Sequence, residues 1–222
     1  CKSLKKQPVT LIIGVSGGID SAVTSTLCAK TSLKTIAVSM PIRQNKDQHN
    51  LSLLQLKWLE DNFDNIETQV INLDDIFNSF DHTMKNFNSE LAFANSRSRL
   101  RMVTLYQIAQ SKKGIVVGTG NKVEDFGVGF FTKYGDGAVD ISPIADCTKT
   151  EVWEMGIYLS IMENIINAKP TDGLWNDSRN DEQQLGLTYK QIEKAMNDPS
   201  SKYYKKYLKI REINLHKMKP IP

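Results

Sequence analysis

The sequence predicts an α/β fold: a doubly wound, mainly parallel sheet with helices on both faces. Three observations favour it. Short apolar runs rich in β-branched residues recur along the first part of the chain, and segments of helical length separate them. Two of these runs end in glycine. Strands that alternate with helices pair in parallel through right-handed crossovers, so the pattern indicates one wound sheet.

Four segments are predicted as strands, at residues 9–14, 35–40, 67–73 and 114–119. The first and the last are continuous apolar runs, which are typical of strands covered on both faces. The second is stopped by Pro41, and the third alternates apolar and polar residues.

Helical composition or spacing predicts helices at residues 20–30, 50–63, 91–111, 148–159, 188–196 and 200–215. In the third of these, one stripe consists of Leu91, Ser98, Met102, Leu105 and Ala109. Residues 122–140 are rich in glycine and aromatic residues and are predicted as a long functional loop.

Composition limits the possible classes. The chain has 222 residues with 28 basic and 25 acidic side chains, and it is expected to form a single domain over residues 1–222. A net charge of +3 is too small to predict nucleic-acid binding, and no apolar run is long enough for a membrane span. Cys1, Cys28 and Cys147 are scattered without a CxxC pair, which favours the cytoplasm over a disulfide framework or zinc site.

The most informative segment lies between the first strand and the first helix. A glycine-rich turn followed by a helix N-terminus binds anions, because backbone N–H groups and the helix dipole favour negative charge. The residues are Gly14, Val15, Ser16, Gly17, Gly18, Ile19, Asp20 and Ser21. No lysine precedes the final serine, so this is not a Walker A loop. Asp20 would repel a phosphate unless a cation lay between them, which predicts Mg²⁺. The alternative is a tight turn in which Asp20 is only a helix cap.

The motif S-G-G-x-D-S in this segment resembles the pyrophosphate loop of the N-type ATP pyrophosphatases. That resemblance implies an adenine nucleotide alpha hydrolase-like fold and a reaction that cleaves ATP between its α and β phosphates to adenylate a substrate oxygen. GMP synthetase, asparagine synthetase and tRNA-thiolating enzymes share the loop. The loop therefore indicates the class of reaction but does not identify the substrate.

A second stretch resembles the NAD synthetase family more closely. Residues 118–124 read GTGNKVE, and residues 129–140 read GFFTKYGDGAVD, close to the family pattern of a GT…E strand end followed by G-F-F-T-K-Y-G-D-G-x-x-D. Residues 95–102 match its N-x-x-A-R-x-R-M helix, with Ser98 in place of the usual alanine. The resemblance extends over residues 9–220.

The resemblance implies a carbon–nitrogen ligase that amidates deamido-NAD to NAD through an acyl-adenylate, releasing AMP and pyrophosphate. ATP and Mg²⁺ are the expected co-substrate and metal. Because the phosphate loop starts at Gly14, we expect free ammonia as nitrogen donor and no preceding glutaminase domain. For the same reason Cys1 is not predicted to be a nucleophile.

The same resemblance assigns roles to individual residues. ATP contacts beyond the loop fall on Thr119, Lys149 and Thr171, and the metal ligands on Asp20 and Glu124. Contacts to deamido-NAD fall on Arg99, Lys133, Asp140, His216 and Lys217. Catalytic roles fall on Lys149, which would offset phosphate charge, and on Asp136, which would place ammonia or take its proton.

Each assignment has a structural alternative. Arg99 would lie on a solvated helix face, Lys133 and Asp140 would form a surface pair, Glu124 would start a helix, and His216 and Lys217 would belong to a frayed tail. His49 and His82 lack metal-ligand spacing and are expected at the surface. Ser39 stands where many members carry an ATP-contacting arginine, and Arg43 is a candidate replacement.

Two other functions stay open at this point. One is another adenylating enzyme with the same loop, such as a tRNA thiolase or lysidine synthetase. The other is a non-catalytic adenine-nucleotide sensor.

The family resemblance also implies a homodimer, with the deamido-NAD site at a two-fold interface that would bury the apolar stripe of the 91–111 helix.

Overall fold

The computed structural model describes residues 9–171, 173–174 and 180–219; Cys1 and the final prolines lie outside this range. Four strands form one sheet: β1 (Thr10–Gly14), β2 (Thr35–Ser39), β3 (Ile66–Val70) and β4 (Gly114–Val117). The order across the sheet is β3-β2-β1-β4, and every pairing is parallel. The predicted fold class is confirmed.

Helices cover both faces of the sheet. Successive residues of a strand point to opposite faces, so apolar residues of the central strands need a helix on each side. The helices of this half are α1 (Ile19–Lys30), α2 (Lys46–Asn62), α3 (Asp74–Thr83) and α4 (Glu90–Lys112). Ile12 packs with residues of α3 and α4 on one face, whereas Leu11 and Ile13 pack with residues of α1 and α2 on the other. Burial on both sides explains why the centres of β1 and β2, residues 11–13 and 36–38, are apolar.

The remaining helices lie beyond β4. They are a π-helix (Lys122–Val128), α5 (Lys149–Tyr158), α6 (Glu163–Ile166), α7 (Asp181–Leu185), α8 (Tyr189–Asn197) and α9 (Tyr204–Met218). One apolar cluster joins the π-helix to α7, α8 and α9, and a second joins α1 to α5 and α6. Among the described residues, no helix combines the length and the apolar character needed to cross a membrane.

Several boundaries differ from the sequence expectation. Helix α2 begins at Lys46 because the Asn45 side chain accepts a hydrogen bond from the Asp47 N–H at 2.8 Å. The predicted loop at 122–140 opens with the π-helix, which Asn121 caps through the N–H groups of Val123 and Glu124. The sequence analysis also missed α3 and the short helices α6 and α7.

The apolar stripe of α4 is not available to a partner chain. Ser98, Met102, Leu105 and Ala109 are buried, and the last three belong to the core against the chain's own sheet. Leu91 alone of the predicted stripe is exposed, at 58%. The expectation that a dimer interface buries this stripe is therefore wrong.

Candidate active site

An open cleft of about 590 Å³ lies at the carboxyl ends of β1, β2 and β4. The chain winds from β1 to β2 and β3 on one side and places β4 on the other side of β1. Ligands of wound parallel sheets bind at such a reversal. Asp20 follows β1 and Glu124 follows β4, so the two predicted metal ligands flank this point, and both line the cleft.

The phosphate loop forms one edge of the cleft. Gly17 has φ +91°, and a Cβ there would lie 2.7 Å from the Gln48 carbonyl and 2.8 Å from the Ser52 amide nitrogen on α2. Only glycine fits this turn without strain. The hydroxyl of Ser21 donates to the Gly18 carbonyl at 2.9 Å and accepts from the Ser16 N–H at 3.2 Å. The loop is thus fixed by its own groups, and it leads directly into α1.

Side chains from distant elements meet the end of this loop at Asp20. Lys149 Nζ lies 2.5 Å from Asp20 Oδ2 and 2.9 Å from Glu124 Oε1. Asn121 donates to Asp20 Oδ1 at 3.0 Å, and the Tyr189 hydroxyl donates to Glu124 Oε1 at 2.5 Å. We call these five residues the carboxylate array. Its lysine is only 2% exposed, so the ammonium is held by protein groups rather than by water.

Local sequence positions the lysine. Thr148 caps α5 in a capping box with Glu151, which makes Lys149 the first residue of the helix. The Tyr189 ring lies under the ammonium, with Nζ 4.8 Å from its centroid. A buried lysine in this position needs counter-charges, and Asp20 and Glu124 supply them.

The electrostatics of the array follow from its charges. Burial opposes the charged form of Lys149, but the two carboxylates outweigh it and raise the pKa of Lys149. Burial also opposes ionisation of Glu124, yet Lys149 and the Tyr189 hydroxyl hold its pKa below the usual value. For Asp20 burial prevails and raises the pKa, against the attraction of Lys149.

Asp125, the neighbour of Glu124, is a further acidic group that the sequence analysis did not select. It lines the cleft, and Gly120 leaves room for it, since a Cβ there would lie 1.9 Å from Asp125 Oδ2. Burial, together with the negative charges of Glu124, Asp136 and Asp20, raises the pKa of Asp125 to about 8. Four acidic side chains, those of Asp20, Glu124, Asp125 and Asp136, therefore act on one another at this end of the cleft.

Asp136 also lines the cleft, on the loop after the π-helix. Its Oδ1 accepts from the Ser98 hydroxyl at 2.6 Å and from the Thr132 N–H at 3.0 Å. Thr119 and Thr171 line the same cleft. All predicted ATP contacts and both predicted catalytic residues thus surround one space.

The residues predicted to contact deamido-NAD lie in different places, some in the cleft and some outside it. Lys217 lines the cleft and donates to the Phe131 carbonyl at 2.9 Å. Arg99, Lys133 and His216 do not line it but adjoin one another at the surface: Arg99 Nε donates to the Lys133 carbonyl at 3.2 Å, and Lys133 Nζ to the His216 carbonyl at 3.3 Å.

Asp140 has a different setting. Its carboxylate accepts from the Val116 N–H at 2.7 Å and from the Tyr106 hydroxyl at 3.1 Å. These contacts fix the edge of β4, and Asp140 does not line the cleft of its own chain.

Near the end of β2, one expectation changes. His49 is half-buried and lines the cleft instead of lying at the surface, because the N-terminal half of α2 packs against the phosphate loop. Arg43, the candidate replacement for the family arginine, also lines the cleft; it pairs with Asp81 of α3 at 2.7 Å and stacks on Phe77. Arg101 donates to the Met40 carbonyl at 2.9 Å. It is a second guanidinium near Ser39, the position at which many family members carry arginine.

The donors present suit a magnesium ion. Mg²⁺ in nucleotide sites is commonly held by one or two carboxylates together with substrate phosphates. Asp20 and Glu124 offer such carboxylates beside the phosphate loop, and both contacts to Glu124 from Lys149 and Tyr189 use Oε1 rather than Oε2. Within the described part of the chain, no three His, Cys, Asp or Glu side chains are grouped to hold a metal ion.

Comparisons with known proteins agree with this site. The family model described as NAD synthase matches residues 2–220. The NH(3)-dependent NAD(+) synthetase of Carboxydothermus hydrogenoformans is 41% identical over 188 residues, covering 82% of this chain and 74% of the relative.

Two solved structures are also similar to the chain. The NMN synthetase from Francisella tularensis is 34% identical with a TM-score of 0.89, covering 99% of this chain and 90% of that one. The NH3-dependent NAD synthetase from Campylobacter jejuni is 27% identical with a TM-score of 0.76, covering 100% of this chain and 92% of that one. With a phosphate loop, a carboxylate array and these matches along nearly its whole length, the chain belongs to the NAD synthase family of carbon–nitrogen ligases.

Proposed function

We propose that the cleft catalyses the ATP-dependent amidation of deamido-NAD to NAD, with ammonia as nitrogen donor and AMP and pyrophosphate as the other products. The observation that carries the proposal is the juxtaposition of the phosphate loop with Asp20, Glu124 and Lys149 at the sheet reversal. The family assignment supports it and does not favour a tRNA thiolase, a lysidine synthetase or a nucleotide sensor.

The residues divide the work as follows. The loop at Gly14–Ser21 binds the pyrophosphate that leaves when the substrate carboxylate attacks the α-phosphorus. Lys149 offsets negative charge on the phosphates, and Asp20 and Glu124 would hold Mg²⁺. Bound Mg²⁺ would supply charge neutralisation, which phosphoryl transfer chiefly requires. Asp136 takes a proton from ammonium or orients ammonia toward the acyl carbon. Thr119 and Thr171 contact the nucleotide.

A mononucleotide is a second candidate substrate. The observation that favours it is the similarity to the Francisella tularensis NMN synthetase, at TM-score 0.89 over nearly the whole chain. The same amide chemistry applied to nicotinate mononucleotide would yield NMN. Loop, array and Asp136 would act on the shared nicotinate carboxylate, and only the contacts to the second nucleotide would be absent.

We also propose a homodimer. Arg99, Lys133, Asp140 and His216 do not line the cleft of their own chain, whereas the family resemblance gives them substrate contacts. A two-fold partner that brings these residues to the neighbouring cleft would reconcile the two observations. Light scattering should give twice the 25.0 kDa of the chain. A 25.0 kDa particle with full activity would contradict a shared site.

We retain the cytoplasm as the proposed location. Cys28 and Cys147 are both free thiols, and Cys28 is buried within a core cluster. Reduced cysteines of this kind suit a compartment in which disulfides do not persist.

The test is a product assay. Purified protein is incubated with ATP, Mg²⁺, ammonium and either deamido-NAD or nicotinate mononucleotide, and the nucleotides are separated and quantified. Equal amounts of NAD and AMP from deamido-NAD are expected. A much larger kcat/KM with the mononucleotide would select the second candidate. Failure to amidate either substrate would refute the proposed function. Glutamine in place of ammonium should not support turnover.

A further inference from the structure

Ser98 places a hydroxyl group on α4 within the cleft. The side chain is 7% exposed and points from α4 to the loop that carries Asp136. A hydroxyl buried there is not required for helix stability, since alanine has the higher helix propensity. Its contacts must account for it.

Those contacts are reciprocal. The Ser98 hydroxyl donates to Asp136 Oδ1 at 2.6 Å, and its oxygen accepts from the Asp136 N–H at 3.0 Å. One hydroxyl therefore fixes both the backbone and the carboxylate of the same residue. Packing is close as well, because a Cβ on Gly135 would lie 2.3 Å from Ser98 Oγ. The side chain of Asp136 has little freedom while this pair is intact.

These contacts use one oxygen of the Asp136 carboxylate. The hydrogen bonds from Ser98 and from the Thr132 N–H both go to Oδ1, so neither of them engages Oδ2. Asp136 lines the same cleft as the phosphate loop. We infer that Ser98 is a positioning residue that keeps the Asp136 carboxylate ionised and directed into the cleft, where it accepts a proton from the incoming ammonium. The inference rests on the proposed amidation.

The proton transfer is balanced. An N–H bond of ammonium breaks, an O–H bond forms on Asp136, and the neutral ammonia keeps the electron pair with which it attacks the acyl carbon. A hydrogen bond to a carboxylate stabilises its ionised form. Removing the Ser98 hydroxyl should therefore make Asp136 a carboxylate only at higher pH.

Other charges act on the same group. Glu124 and Asp125 of the π-helix contribute negative charge, and Lys217 of α9 contributes positive charge. Desolvation in the cleft raises the pKa of Asp136, against the hydrogen bonds from Ser98 and Thr132. None of these neighbours is altered in a Ser98→Ala variant, so a change in titration is attributable to the lost hydroxyl.

The experiment compares Ser98→Ala with a control on the same helix, Thr104→Ala, whose hydroxyl donates to the Leu100 carbonyl within α4 at 2.9 Å. The ratio of variant to wild-type kcat/KM for ammonium is measured as a function of pH. Because the ionisation of ammonium itself is common to both enzymes, it cancels in the ratio. For Ser98→Ala we expect a loss of about tenfold at low pH that recovers at high pH, an acid limb displaced by about one pH unit.

A second readout needs no turnover. The pKa of Asp136 is followed by carbon NMR of labelled carboxylates in the wild type and in both variants, and an increase is expected only for Ser98→Ala. A pH-independent ratio, or an unchanged Asp136 pKa, would overturn the inference and leave Ser98 as a helix–loop contact. If the wild type amidates neither substrate, the proposed function fails, and the NMR titration still decides whether Ser98 controls the ionisation of Asp136.

Discussion

The phosphate loop and the carboxylate array, which meet at Asp20, are built differently. The phosphate loop consists of consecutive residues, and its shape depends on backbone groups, two serine hydroxyls and the positive φ of Gly17. The carboxylate array instead joins side chains from α1, the π-helix, α5 and α8, and its central ion pair links residues 129 positions apart. The comparison teaches that the shape of the phosphate loop is a local property of the sequence, whereas the charge balance of the array is a property of the whole fold.

If this comparison is correct, the largest effect should follow removal of the array's only cation. In Lys149→Met, Asp20 and Glu124 lose their common partner, and both lie mostly out of water, with 17% and 16% of their side chains exposed. We expect turnover to fall by about 10³-fold. The free energy of unfolding in urea should fall by about 3 kcal/mol, because uncompensated carboxylates remain buried.

The matched control is Lys190→Met, on the exposed side of the first turn of α8. It removes the same charge without touching the array and should leave turnover and stability near wild type. A Lys149→Met protein as stable as this control would mean that the buried ion pairs do not hold the two halves of the site together.

A smaller effect is expected at the phosphate loop. Gly17→Ala requires a left-handed backbone from alanine and places a Cβ against backbone atoms of α2. The unfolding free energy should fall by about 2 kcal/mol. Turnover should fall by about 10²-fold, since the loop would shift relative to the phosphates.

The control Gly18→Ala tests whether the loss of any glycine in the loop lowers stability. A Cβ at Gly18 would lie 3.5 Å from Ser16 Oγ, and the φ of Gly18 is −86°, which alanine adopts readily. Equal stability losses for the two variants would show that conformation at Gly17 is not the cause.

The sequence predicted the local features well. The four strands, their parallel winding and the loop at Gly14–Ser21 follow from continuous apolar runs, glycine and the following helix, and the structure has all of them. Helix ends were less accurate, because caps such as Asn45 extend a helix beyond its apolar pattern. The π-helix was missed because a seven-residue segment containing Gly127 shows no clear period.

The sequence did not indicate the partners within the site. Tyr189 contacts Glu124 from 65 positions away, and nothing in its own neighbourhood distinguishes it from a core tyrosine. Asn121 lies inside a recognised motif, yet only the fold reveals that its side chain binds Asp20. Ser98 was noted as a substitution, and its contact with Asp136 required the tertiary structure. Side-chain networks of this kind depend on distances across the fold, which spacing along the chain does not contain.

The most direct test of the central claim is an isotope-transfer measurement. Deamido-NAD, or the mononucleotide if that is the preferred substrate, is labelled with ¹⁸O in the nicotinate carboxylate and converted with ATP, Mg²⁺ and ammonium, and the products are analysed by mass spectrometry. Attack of the carboxylate on the α-phosphorus predicts one ¹⁸O atom in each AMP formed, with unlabelled pyrophosphate. ADP as the nucleotide product, with ¹⁸O in inorganic phosphate, would contradict adenylation. It would also contradict the proposed roles of the loop in binding pyrophosphate and of the array in balancing phosphate charge.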